Sequence, residues 1–315
     1  MSLAQTAIAR RTTAALLVAL TVLATSCNKQ RQEQPQAAQN MFASPDDAAN
    51  ALVAAAKSGN GEDVLAVLGP GSKDVVSTGD AAKDKADMAA FVSEYNTMHR
   101  WRKLPDGGEL LITGADNKTF PLPLKKSADG QWSFDVQAGK QELLARQIGR
   151  DELAAMDVCL EIAAAQHQYF SQHHDGASQY AQKFISDQGK ENGLYWPEVQ
   201  GQPRSPLGPL VAYATAQGLQ IEPNKHEPFY GYYFAILDKQ GPEAKGGAKD
   251  YVADGKMTGG FAILAYPAQY RQSGVMTFLI NQSGPLLQKD LGSTTDQAAA
   301  ALTEFNPDKT WTAVE

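Results

Sequence analysis

Gly149–Phe170, GRDELAAMDVCLEIAAAQHQYF, is the stretch on which the reading of this chain turns. Leu153, Met156, Leu160, Ala163, His167 and Phe170 recur at spacings of three and four, one face of a 3.6-residue period, and predict a helix of about twenty residues. Asp151 is placed to cap its start, and Glu152 suits the positive end of the helix dipole. The turn residues His173, His174, Asp175 and Gly176 close it. Asp151, Glu152, Asp157 and Glu161 interrupt the run, so it cannot cross a bilayer. It is read as a spine against which sheet can pack.

The sequence changes character on either side of the spine. Upstream, Arg10 and Arg11 precede an eleven-residue apolar core, Ala14–Ala24, which is too short to span and suits a signal peptide over residues 1–26. The core runs into Leu23-Ala24-Thr25-Ser26-Cys27. That run resembles a bacterial lipobox, which would leave Cys27 as a lipidated N-terminal residue; the membrane partner is then reached through the acyl chains. Asn28 after the cysteine favours the outer membrane, so the expected location is an outer-membrane lipoprotein or the periplasm. Residues 28–41 are polar and Gln-rich, and with Cys27 they form the expected tether, 27–41.

Ser44-Pro45-Asp46-Asp47 is a helix start, with Phe42 placed to staple onto it. Helices are expected to Ser58, over Glu62–Leu68 and over Lys83–Met98. The period then drops to two, giving strands over Glu109–Thr113, Thr119–Leu124 and Gln131–Val136. A short helix over Lys140–Ile148 leads to the spine. Beyond it come helices over Ser178–Ile185 and from Ser205 to Gln217, capped by Gly218. Strands follow over Tyr230–Asp238, Gly260–Tyr266, Gly274–Asn281 and Leu286–Asp290, then a closing helix over Asp296–Phe305 and an edge-forming tail over Lys309–Val314. The fold class is α+β, with modules over 42–139 and 140–315.

The opening SPDDAANALVAAAKSGNGEDVLAVL, 44–68, and the meander after it are similar to NTF2-like or cystatin-like domains. That likeness implies a pocket lined by Tyr95, Trp101, Phe120 and Trp132. The back half, above all Ala262–Leu291, resembles a type IV pilin or pseudopilin head, although its helix is internal and amphipathic. From Phe42 onward the chain resembles an uncharacterised family of proteobacterial envelope proteins. The motifs that carry this are Ile148–Ala154, Gly193–Pro197, Ser205–Pro209, Gly231–Phe234 and Asp254–Phe261. The family is a domain of unknown function and implies no activity.

The formal charge is -7, and loss of residues 1–26 removes two arginines and no acid, taking it to -9. An acidic chain without a basic cluster argues against nucleic acid as partner. With Cys27 lipidated, Cys159 has no disulfide partner and reads as a small buried hydrophobe. His173, His174 and Asp175 are weak metal candidates, since no HExxH or i, i+4 His pair is present. GKMTGG at 255–260 fails the phosphate-loop order, and no nucleophile motif is found, so no cofactor and no metal are expected. Tyr195, Trp196, Phe229, Tyr230, Tyr232 and Tyr233 form the candidate binding surface for an envelope protein or glycan. The leading expectation is a non-catalytic binding or assembly component. The alternatives are a periplasmic hydrolase with its site near the histidines or Cys159, and a pilin-like accessory of a secretion or surface apparatus.

Overall fold

Ser44-Pro45 starts a helix as its chemistry requires. The Ser44 hydroxyl accepts from the Asp47 N–H at 3.1 Å, Pro45 takes the first helical position, and α1 (Pro45–Ser58) stops at Gly59 in the left-handed conformation. The computed structural model describes residues 39–201, 203–216 and 227–314, which fall in one unit that begins at Gln39. The signal segment, Cys27 and tether residues 28–38 lie outside the described residues, as do Gln217 and Gly218. Gln39 and Asn40, expected in the tether, belong to the folded body: the Gln39 amide donates to the carbonyls of Leu68 (3.2 Å) and Phe134 (2.9 Å), and Asn40 donates to that of Ala66. Phe42 does not simply staple α1. Its backbone exchanges two 2.8 Å bonds with Trp132, extending the sheet.

After α1 come α2 (Gly61–Leu68), α3 (Lys73–Val76) and α4 (Ala81–Thr97), the last capped by Asp80. Strands β1 (His99–Lys103), β2 (Glu109–Thr113), β3 (Lys118–Thr119), β4 (Leu124–Lys126) and β5 (Trp132–Phe134) form an antiparallel sheet ordered β1-β2-β4-β5, with β3 paired to β2. The expected Thr119–Leu124 strand is broken because Pro121 and Pro123 offer no N–H to a ladder. Ala48, Leu52 and Ala56 of α1 pack with Leu122, Leu124 and Phe134, while Val53, Tyr95 and Leu111 form a smaller cluster beside them.

The spine is much longer than its periodic segment. Helix α5 runs Val136–Ser171, 36 residues or about 54 Å. Asp135 is its cap, accepting from the N–H groups of Gln137 and Ala138, both at 3.1 Å. Asp151 therefore lies mid-helix, and the expected short helix over Lys140–Ile148 is part of the same element. The expected apolar face is only partly the buried one: Met156 and Ala163 pack against the back core, and His167 and Phe170 against Tyr180. The buried positions are Ala155, Val158, Cys159, Ile162, Ala165, Gln166 and Tyr169, whereas Leu153 and Leu160 are 61% and 51% exposed.

The 139/140 module boundary thus falls inside one helix. The first half of α5 belongs to the front core: a Cβ on Gly139 would sit 2.5 Å from Leu122 Cγ, Lys140 pairs with Asp74 at 3.0 Å, and Arg146 donates to the Thr119 carbonyl and hydroxyl. The second half lies on the back sheet.

The back half holds α6 (Gly208–Ala216), β6 (Tyr232–Leu237), β7 (Lys239–Gln240), β8 (Lys249–Asp250), β9 (Val252–Ala253), β10 (Lys256–Met257), β11 (Ala262–Pro267), β12 (Met276–Asn281), β13 (Leu287–Asp290), α7 (Thr295–Ala301) and β14 (Thr312–Ala313). Its main sheet is antiparallel, ordered β14-β13-β12-β11-β6, with Leu264 facing Ala235 on one side and Leu279 on the other. Both α5 and α7 pack on β11, and Ala262 to Ala265 are all buried. Residues 178–185 are not helical but carry two isolated bridges with a bend between them: Tyr180 pairs with Met257 and Ile185 with Tyr195. The buried Gln166 amide holds this segment to α5, giving one hydrogen bond to the Ala181 carbonyl and taking one from its N–H, both 2.8 Å.

Candidate functional site

The C-terminal end of α5 positions an open cleft of 730 Å³, lined by Gln172, His173, His174, Asp175, Lys190, Glu191, Asn192 and Pro203. Its anchor is Tyr169, 3% exposed, whose hydroxyl donates to the Glu191 carbonyl at 2.9 Å and so draws the 190–192 loop against the helix end. Burial pushes this hydroxyl up to about 12, which keeps it a donor. The His174 ring stacks on Tyr169 with centroids 3.8 Å apart and planes 12° apart, and Trp196 stands edge-on to it at 5.8 Å.

The backbone around His174 is under strain. His173 (φ 59) and Asp175 (φ 49) are both in the left-handed region, which costs a non-glycine residue on the order of 1–2 kcal/mol. The turn is pinned from outside: Gln179 donates to the His174 carbonyl (3.0 Å) and Lys256 to that of Asp175 (3.2 Å). Nε2 of His174 lies 3.1 Å from the side-chain amide oxygen of Gln172, within hydrogen-bond reach. Burial lowers the pKa of His174, against the nearby Glu191 and Asp175 carboxylates, which raise it.

This shift has a measurable sign. Well above pH 6.5 His174 is uncharged in both folded and unfolded chains and contributes no pH dependence. As pH falls through the ordinary histidine value of about 6.5, the unfolded chain takes up the proton first and stability drops, levelling off once pH passes the lower folded value. Thermal melts should therefore show a loss between neutral and mildly acidic pH that is smaller in His174→Gln; an equal loss in both proteins would remove His174 as its source.

The aromatic residues expected to form a surface are placed differently. Trp196 is 5% exposed and donates from Nε1 to the Pro203 carbonyl, and Tyr232 is fully buried. Tyr195, Phe229 and Tyr230 are half-buried against the back core, and half-buried Tyr233 packs its ring 5.4 Å from Tyr266. They support the sheet and the cleft from behind. His173, His174 and Asp175 do share the cleft, but among the described residues no group of three or more His, Cys, Asp or Glu is placed to hold a metal. Cys159 is fully buried and burial pushes its thiol up, so it stays protonated and out of reach of a substrate. Gln172, Lys190, Glu191 and Asn192 carry no local signal in the sequence; the Tyr169 bond, twenty-two residues in span, helps bring the last three to the histidines.

No curated protein and no solved structure matches the chain. A family model matches residues 39–314, which takes in the whole described body, and the chain belongs to the family described as Protein of unknown function (DUF2950).

Proposed function

We propose that this chain is an exported, lipid-anchored envelope protein whose body is a non-catalytic binding component, with the cleft around His174 as its ligand site. One observation carries the reading: two strained non-glycine residues bracket His174 at the mouth of a concave cleft, and such strain collects at functional sites. The lining favours a glycan over a protein face. Amides, carboxylates and an ammonium group suit sugar hydroxyls, whereas the centre of a protein interface is depleted in charge. Export and anchoring rest on Arg10, Arg11, the Ala14–Ala24 core and Cys27.

Crosslinking in the native envelope, read by mass spectrometry, tests both halves. Wild-type chain should give glycan-bearing crosslinked peptides around residues 172–192, and these should be lost in Asn192→Ala. Cys27→Ser should release the chain from the membrane fraction. Crosslinks unaltered by Asn192→Ala would sink the site, and unchanged fractionation would sink the anchor.

The finer likenesses belong to this reading. The helices α1 and α4 packed on an antiparallel sheet support an NTF2-like front half, and α5 on an antiparallel sheet supports a pilin-head-like back half. A second reading, as accessory to a secretion or surface apparatus, is favoured by Leu153 and Leu160, two turns apart on the outward side of α5.

A further inference from the structure

A second cleft, of 610 Å³, lies between α4, the β2–β3 hairpin and the first half of α5. Phe91 and Phe120 line it, their rings 5.2 Å apart and 44° inclined, with Ala90 leaving room beside them. Two carboxylates, Asp87 and Glu94, line it from α4, two helical turns apart. Two cations complete the lining: Lys118 from the hairpin and Arg146 from α5. We propose that this trough binds a zwitterionic amino acid with an apolar side chain.

The charge arrangement selects such a ligand. Asp87 and Glu94 offer acceptors to an ammonium group and Lys118 and Arg146 offer donors to a carboxylate, so a molecule carrying both charges can use both sets at once. Each of the four groups is held by a protein partner that does not use up its capacity. Glu94 pairs with Lys118, which keeps further N–H donors, and Asp87 pairs with Lys83 at 2.6 Å through one of its two oxygens. Arg146 gives Nε to Glu142 (2.8 Å) and one terminal nitrogen to the Thr119 carbonyl and hydroxyl, leaving its other terminal nitrogen without a partner among the described residues. The apolar side chain then lies over Phe91 and Phe120, which already join the front clusters.

The test is titration of the full chain with phenylalanine, with 3-phenylpropionate and 2-phenylethylamine as analogues lacking one charge each. Phenylalanine should bind saturably in the millimolar range or tighter. Each analogue should bind about tenfold more weakly or worse, about 1.4 kcal/mol per tenfold. Asp87→Asn removes a carboxylate that is 59% exposed, so the fold is retained. It should weaken phenylalanine while tightening 3-phenylpropionate, an inversion that general loosening of the structure does not produce. Absence of saturable phenylalanine binding by protein with a normal melting curve, equal binding of the three compounds, or an unchanged ratio in Asp87→Asn would each overturn the proposal.

Discussion

Gly274→Ala is expected to destabilise the chain by about 3 kcal/mol or more. A Cβ at this position would stand 2.1 Å from Tyr232 Oη, 2.5 Å from Cζ and 2.7 Å from Cε2. Tyr232 cannot step aside: it is fully buried, its hydroxyl donates to the Met276 carbonyl at 2.9 Å, and its ring lies 5.8 Å from that of Phe278. The backbone at Gly274 is not in the left-handed region, so the effect is steric and not conformational. At roughly 2 °C per kcal/mol, the melting temperature should fall by about 6 °C or more. Gly149→Ala supplies the contrast. Its Cβ would meet nothing within 4 Å, in the interior of α5, so alanine should stabilise by up to about 1 kcal/mol. Melting temperatures that move in the same direction for both variants would contradict this packing.

Glu152→Ala should cost about 2–4 kcal/mol, because one carboxylate oxygen serves two distant backbone donors. Oε1 accepts from the N–H of Val275 at 2.8 Å and of Met276 at 3.0 Å, 123 and 124 residues away. Hydrogen bonds to a charged group contribute about 1.5–3 kcal/mol each, and partial exposure of this site places the pair toward the lower end. Glu152→Gln keeps an oxygen acceptor of the same reach and should recover more than half of the loss. Urea unfolding of the three proteins gives the comparison. A Glu152→Ala midpoint equal to that of the wild type would mean that the start of β12 is held by its neighbours in the sheet and not by α5.

Much of the architecture was legible because local chemistry agreed with the fold. Ser44-Pro45 and Gly59 bound α1 as caps should, and β6, β11 and β12 follow from apolar runs closed by turn residues. The face of α5 is legible only in part, because two of its largest residues, Leu153 and Leu160, are exposed. Close packing on a sheet selects the smaller Ala155, Cys159 and Ala165, which carry a weaker signal. Asp151 was mistaken for a cap because its neighbours suit one; the true cap, Asp135, lies sixteen residues earlier beyond two glycines of the helix. Strand β1, HRWRK, is an edge strand whose charges hide its period. Residues 178–185 take their conformation from Met257 and Tyr195, long-range partners that no local window contains. The candidate cleft is half legible: the histidines stand out as a titratable cluster, whereas the 190–192 loop is drawn to them by the long-range Tyr169 bond.

The continuity of α5 has a thermodynamic consequence. A helix that ended at Ile148 would let each core melt on its own schedule. Here residues 136–146 are held by Leu122, Asp74 and Thr119, and residues 152–169 by β11, β12 and the 178–191 segment. Opening either core strips one half of a shared rod of its packing, and helical turns in water are only marginally stable without it. The two cores are therefore coupled into one cooperative unit, through which a load at one end can be felt at the other.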